Sequence, residues 1–255
     1  MRQRSYRPAS SGLCRFATLA LLVWIATFVV PRPAASTEPL RIGYQLSSTL
    51  IALLRANGKL EQELARRGVT VTWHEFTSGL PQLEALNTGN IDFSADVADT
   101  VLVFALAAGA KLTYVAEEAP SPLAQGILVP EKSVIATVAD LKGKRIAVTR
   151  GAGSHYLLIA ALQSVRLSLK DVVPAYLTSA DARAAFVAGR VDAWVAWDPY
   201  LNSRERQDGA RPVIYDRDVA NYKRYYLTSQ GYASAHGDVL KVVRPAPHHR
   251  PVGKI

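Results

Sequence analysis

A glycine-rich turn that carries a serine and a histidine lies near the middle of the chain. In the stretch "TRGAGSHYLLIAAL", residues 149–162, the candidate residues are Gly151, Gly153, Ser154 and His155. Glycines at the start of a helix let backbone N–H groups point outward at the positive end of the helix dipole, where anions bind. A serine beside a histidine could instead supply a nucleophile and its base. The turn therefore raises two possibilities, an anion site and a catalytic site.

The spacing of these residues argues against catalysis. Consecutive residues at the start of a helix point in different directions, so His155 is poorly placed to take a proton from Ser154. No Gly-x-Ser-x-Gly turn surrounds the serine, and a dinucleotide fingerprint would need a third glycine where Tyr156 stands. Ser154 has a second interpretation as the N-cap of the helix, which is compatible with anion binding. The sequence favours an anion site and predicts no catalytic residue.

Three further candidates lie where predicted strands end. Gln45 follows the first strand and offers an uncharged donor to an oxyanion, or it is an ordinary loop residue. In "WVAWDPYL", Asp198 suits a helix cap before proline, and Trp197 suits either a core or the wall of a binding cleft. The histidines show no metal-ligand spacing, so we predict no metal and no cofactor.

The elements that must position these residues alternate along the chain. Strand-like and helical runs follow one another from Leu40 to Trp197, which predicts an α/β fold with largely parallel strands. The stretches "EALNTGNIDFSA" and "AAFVAGRVDAWVA" repeat the order helix, glycine, polar residue, branched aliphatic residue and aspartate. This repeat suggests two similar lobes. A ligand would then bind in the cleft between them, beyond the carboxyl ends of the strands.

The first part of the chain is typical of an export signal. Residues 1–36 contain basic residues, then the apolar run "FATLALLVWIATFVV", then small residues, so we predict a signal peptide cleaved near Ala35 or Ser36. An uncleaved anchor is the alternative. Cleavage would remove Cys14, the sole cysteine, so the mature chain would have neither a disulfide nor thiol chemistry.

The charge distribution argues against a nucleic-acid partner. The formal charge of +9 falls to +4 without the leader, and residues 37–240 are neutral because the remaining excess lies in the basic end of the chain. A neutral body does not provide the basic surface that nucleic acids need.

Several segments of the chain resemble a known family in the same order. They are "RIGYQ", "LEALNTGNID", "AAGAKLTYV", "TVADLKGK", "GAGSHYLLIAAL" and "YLTSADARAAFVAGRVDAWVAWDPY". Together they resemble the aliphatic-sulfonate-binding proteins (SsuA type) of ABC importers, within the nitrate, sulfonate and taurine binding group. The resemblance extends from about residue 40 to about residue 235, and the last segment is the most specific.

This resemblance implies a type II periplasmic-binding fold, in which two lobes joined by two crossover strands close on the ligand. Lobe 1 would contain residues 37–124 and 225–243, lobe 2 residues 125–224, and residues 244–255 would form an irregular basic tail. The implied protein is a monomeric, periplasmic component of an ABC importer that binds a sulfonate reversibly and delivers it to a permease in the inner membrane. No catalysis is implied.

The resemblance also implies a set of ligand-binding residues. Gln45, the turn from Gly151 to His155, and Trp197 with Asp198 match segments that line the family's cleft, and the glycine-rich turn would hold the sulfonate. The family usually has a Thr-Gly-Asp-x-Pro-like stretch where this chain reads "SADVADTVL". Asp99 is our candidate for the family's aspartate.

Other functions stay open at this stage. The ligand could be nitrate, taurine or another small oxyanion, and some biosynthetic enzymes share the fold. Relatives continue beyond the point where this chain becomes "RPAPHHRPVGKI". We therefore also consider an incomplete first lobe of low stability, and a truncated, non-functional remnant.

Overall fold

The computed structural model describes residues 38–244, apart from residues 120, 122, 208, 221 and 222. The predicted signal peptide and nearly all of the predicted tail lie outside the described residues. The first part of the described chain forms four strands of a five-stranded sheet and the helices beside them. These elements are β1 (Glu38–Gln45), α1 (Thr49–Asn57), α2 (Lys59–Ala65), β2 (Val69–Phe76), α3 (Gly79–Asn87), β3 (Phe93–Ala98), α4 (Asp99–Ala107) and β4 (Leu112–Glu117). No helix in this described part of the chain has the length and apolar character needed to span a bilayer.

A second five-stranded sheet is inserted before the chain returns to the first. It contains β5 (Gln125–Val129), β6 (Arg145–Val148), α5 (Gly153–Ser164), β7 (Val173–Tyr176), α6 (Ser179–Val187), β8 (Ala193–Trp197), α7 (Tyr200–Gln207) and β9 (Arg211–Tyr215). The chain then re-enters the first sheet with β10 (Arg224–Ser229) and continues into α8 (Gln230–Ala235) and α9 (Gly237–Val243). Short 3-10 segments lie at Val138–Leu141, Leu169–Asp171 and Asp216–Asp218.

The two sheets have equivalent strand orders. The first reads β2-β1-β3-β10-β4 and the second β7-β6-β8-β5-β9. In each sheet three strands pair in parallel, whereas the fourth strand in this order pairs antiparallel with both its neighbours. The prediction of largely parallel strands is therefore wrong for β5 and β10. The chain reaches β5 from the first sheet and β10 from the second. Each of these strands therefore runs opposite to the parallel strands of the sheet that it enters.

Each sheet is covered by apolar side chains on both faces. In β5, Ile127 and Val129 pack with Leu157 of α5, while Leu128 between them packs with Phe186 of α6. This alternation follows from the two-residue period of a strand. Burial of each such side chain contributes about 1.5–3 kcal/mol to the free energy of folding.

The repeated sequence motif forms the same turn in both sheets. Gly89 and Gly189 take φ of 73° and 65°, left-handed values that glycine adopts without steric cost. The aspartate that follows then pairs with the adjacent strand. The N–H of Arg41 donates to Asp92 Oδ2 at 2.8 Å, and the N–H of Arg145 donates to Asp192 Oδ2 at 2.8 Å.

The two aspartates differ in one respect that mutations should reveal. Asp92 also accepts two bonds from the Arg41 guanidinium, at 2.9 and 2.6 Å. We expect Asp92→Ala to lower the free energy of unfolding by about 2 kcal/mol and Asp192→Ala by about 1 kcal/mol, as measured by urea denaturation. Equal losses would show that the guanidinium pair adds nothing.

Candidate functional site

A cavity with an empty volume of about 320 Å³ lies between the two sheets and opens to solvent. Its wall combines residues that follow strands of both sheets with residues from α3, α4 and α5. We call it the anion cavity, and its lining residues are Gln45, Ser47, Gly79, Asp96, Ala98, Val101, Gln125, Ala152, Gly153, Ser154 and Trp197. Four of the residues predicted from sequence, Gln45, Gly153, Ser154 and Trp197, therefore meet in one place.

The glycine-rich turn brings the start of α5 to this cavity. Gly151 takes a left-handed φ of 70°, and Ala152 is the N-cap of the helix. The interpretation of Ser154 as the N-cap is therefore wrong, because it is the second residue of α5. Its Oγ is fully buried and has no hydrogen-bond partner among the described residues. The first N–H groups of a helix also have no intrahelical acceptor, so this wall offers several donors to an anion.

His155 is hydrogen-bonded to the glycine-rich turn and does not line the anion cavity. The Gly151 N–H donates to His155 Nδ1 at 3.3 Å, which places the proton of a neutral imidazole on Nε2. The ring packs edge-on against Tyr176. Burial, and secondarily the charge of Arg150, lower the pKa of His155. Because Ser154 Oγ has no partner among the described residues, Ser154 and His155 do not form a nucleophile and base pair.

A second cavity, with an empty volume of about 610 Å³, adjoins the anion cavity. Phe76, Trp197 and Tyr200 give it an aromatic wall, and we call it the aromatic cavity. Its lining residues are Gln45, Leu46, Ser47, Glu75, Phe76, Thr77, Thr178, Ser179, Ala180, Trp197 and Tyr200. The two cavities share Gln45, Ser47 and Trp197, so they are adjacent.

Asp99 and Asp198 lie outside both cavities. The carboxylate of Asp99 accepts the Thr100 N–H at 2.7 Å at the start of α4, and burial raises its pKa. Asp198 Oδ1 accepts from the backbone N–H and side-chain amide of Asn202 at 3.1 and 2.6 Å. These bonds fit the helix-capping role that the sequence predicts for Asp198.

Asp96 lines the anion cavity but was not singled out as a site residue from the sequence. It lies within β3 at a φ of 60° and is 2% exposed. Its carbonyl accepts from Gln45 Nε2 at 3.1 Å, and its carboxylate pairs with Arg224 Nη1 at 3.0 Å. Burial raises the pKa of Asp96 well above its ordinary value, although Arg224 opposes this rise.

The described residues contain no cluster of three or more histidine, cysteine, aspartate or glutamate side chains that could hold a metal. They form a polar cavity and an aromatic cavity between two α/β lobes. The chain crosses from one lobe to the other twice. This arrangement defines a two-lobed periplasmic-binding protein of type II.

The comparisons with known proteins agree with this class. The family described as NMT1/THI5 like matches residues 64–247. A curated aliphatic sulfonates-binding relative from Escherichia coli (strain K12) is 43% identical over 225 residues, covering 88% of this chain and 69% of the relative. The chain therefore belongs to the NMT1/THI5 like family and, within it, to the aliphatic-sulfonate-binding proteins.

Two solved structures give the same result. The periplasmic aliphatic sulphonate binding protein SsuA from Escherichia coli is 44% identical, with a TM-score of 0.71 over 81% of this chain and 70% of that chain. The alkanesulfonate-binding protein SsuA from Xanthomonas axonopodis pv. citri, bound to MOPS, is 43% identical, with a TM-score of 0.73 over 82% of this chain and 72% of that chain. The prediction of a binding component rather than an enzyme is confirmed by these relatives.

Proposed function

We propose that this chain binds aliphatic sulfonates reversibly in the cleft between its sheets, as the solute-binding component of an ABC importer that acquires sulfur. The observation that supports this most is the junction of the two cavities. Buried donors at the start of α5 face one end, and an aromatic wall lines the other. An alkanesulfonate is divided in the same way. Its sulfonate head is charged and accepts hydrogen bonds strongly, and its alkyl tail is apolar.

The composition of the anion cavity suits a singly charged head group. Among the described residues no lysine or arginine lines it. Its donors are the Ser154 hydroxyl, the first N–H groups of α5 and the amides of Gln45 and Gln125. Because these donors are uncharged, added salt should weaken binding only modestly.

The aromatic cavity favours a sulfonate with an apolar tail over nitrate or taurine. Nitrate has no tail to place beside Phe76, Trp197 and Tyr200. Taurine has only two carbons between its sulfonate and its ammonium group, so it would cover less of this wall than a longer alkyl tail.

We infer the cellular context from the family. The chain acts in the periplasm after export, as a monomer, and hands its ligand to a permease in the inner membrane. The lobe boundaries at residues 124/125 and 224/225 are part of the same proposal.

Calorimetric titration with a series of C2 to C8 alkanesulfonates tests this function. We expect reversible binding whose affinity rises about fourfold per methylene while the tail extends along the aromatic cavity, because each buried methylene contributes about 0.8 kcal/mol. Sulfate, nitrate and taurine should bind more weakly than the longer sulfonates. Absence of binding by every sulfonate, from a sample with a cooperative thermal transition, would refute the proposal.

A matched pair of variants locates the tail. Trp197→Ala should flatten the dependence on chain length, because Trp197 lines both cavities. Tyr156→Ala removes another aromatic residue from α5 that is 46% exposed and lines neither cavity. This control should retain the parent dependence.

A further inference from the structure

Asp96 lines the cavity that we propose to bind an anion, and its carboxyl group is buried beside that cavity. We propose that Asp96 is a specificity-determining residue, which restricts the site to singly charged anions and excludes dianions such as sulfate and the fully ionised alkylphosphonates. This inference rests on the proposed function, because it concerns the selectivity of the same cavity.

The backbone of Asp96 is held in an unfavourable conformation. Only Asp96 and Arg166 among the described non-glycine residues have positive φ. Such a conformation costs about 1–3 kcal/mol and persists where surrounding contacts fix it, which is common at functional sites. Two contacts fix it here. The Gln45 amide donates to the Asp96 carbonyl, and Arg224 forms an ion pair with the Asp96 carboxylate.

The charges around Asp96 do not sum to a positive site. Arg224 is shared, since its Nη2 lies 3.0 Å from Glu118 Oε1. Tyr226 and, beyond Arg224, Asp216 are further titratable groups that interact with this cluster. With both carboxyls ionised, the group of Asp96, Glu118 and Arg224 carries one net negative charge.

This balance separates monoanions from dianions. The net negative charge of this cluster opposes the single charge of a monoanion once and the double charge of a dianion twice. A dianion brings a second charge that no lining lysine or arginine among the described residues offsets. At about 6 Å and an effective dielectric constant of about 20, one extra unit charge weakens binding by a factor of about 100.

Butanesulfonate and butylphosphonate form a matched ligand pair for the test. They have the same tail, but the phosphonate gains a second charge between about pH 6 and about pH 9, whereas the sulfonate does not. For the parent protein, the phosphonate-to-sulfonate ratio of dissociation constants should rise on the order of 100-fold between these pH values. In Asp96→Asn the rise should shrink by about tenfold or more, because the variant has no carboxylate to repel the dianion.

A control variant and a second readout separate selectivity from structural damage. Glu117 pairs with Lys223 and lines neither cavity. Glu117→Gln removes one negative charge close to the cluster, and it should leave the phosphonate-to-sulfonate ratio of dissociation constants unchanged. Thermal denaturation of the parent and of both variants is the second readout, and each should show a cooperative transition.

The outcomes are distinct. If the parent protein does not bind butanesulfonate, the proposed function fails. If sulfonate binds but Asp96→Asn keeps the parent ratio, the selectivity proposal is wrong. Asp96→Gly is a second variant, since glycine adopts the φ of 60° freely. Loss of the thermal transition in both variants would make Asp96 a structural residue and would also overturn the proposal.

Discussion

Replacing Gly153 with valine is expected to weaken sulfonate binding by about 100-fold, or about 2.7 kcal/mol. Gly153 is buried and is the first residue of α5, where the helix meets the anion cavity. A head group must approach this backbone closely to reach its N–H donors, and a branched side chain prevents that approach. Because Gly153 does not have a positive φ, the backbone itself tolerates valine.

Ser154→Ala is the matched comparison for this prediction. It removes one hydroxyl donor worth about 0.5–1.5 kcal/mol, so its affinity should fall no more than about tenfold. Calorimetric titration of both variants with hexanesulfonate measures the difference, and thermal denaturation confirms that they fold. A larger loss for Ser154→Ala than for Gly153→Val would identify the hydroxyl, rather than the backbone, as the main donor.

The second large effect concerns Asp216 and the pH dependence of stability. Asp216 follows β9 in the segment that returns to the first sheet, and it is 1% exposed. Its Oδ1 has no hydrogen-bond partner among the described residues. Burial is the main cause that raises the pKa of Asp216 to about 6.

The sign of the effect follows from proton binding. Between about pH 4 and about pH 6 the folded state retains a proton on Asp216 that the unfolded chain has released, so stability falls as the pH rises through this window. Asp216→Asn removes the ionisation. The variant should be more stable than the parent above about pH 6, by up to about 3 kcal/mol, and should match it below about pH 4.

Thermal denaturation of the parent and variant across this pH range tests the prediction. Glu84→Gln provides the control, because Glu84 is an exposed residue of α3. Its difference from the parent should stay near zero at every pH. A constant difference for Asp216→Asn across the range would show that the carboxyl does not titrate in this window.

The predicted residues that line the anion cavity share one physical property. Gln45 ends β1, while Gly153 and Ser154 follow β6 and Trp197 ends β8, all of which run parallel to a neighbour. The rule that ligands bind beyond the carboxyl ends of parallel strands therefore placed them in the cleft. The repeated glycine and aspartate turns were recognisable for a similar reason, because both depend on local sequence.

The residues that were missed break this rule. Gln125 is the first residue of β5, which runs antiparallel and so presents its amino end to the cleft, opposite Trp197. Asp96 lies inside β3 and reaches the cavity through a left-handed φ that its residue type does not predict. The carboxylates of Asp99 and Asp198 accept hydrogen bonds at the starts of helices. An aspartate that caps a helix cannot be distinguished from a ligand-binding aspartate by its position in the sequence alone.

The missing side chain of Gly151 has a kinetic consequence. A Cβ atom at this position would lie 3.1 Å from Leu80 Cδ2, so the turn before α5 and the first residues of α3 touch across the cleft. Separation of the two sheets would break this contact, so we expect it to affect the rates at which a ligand enters and leaves, whereas the donors of the anion cavity set how strongly the head group is held.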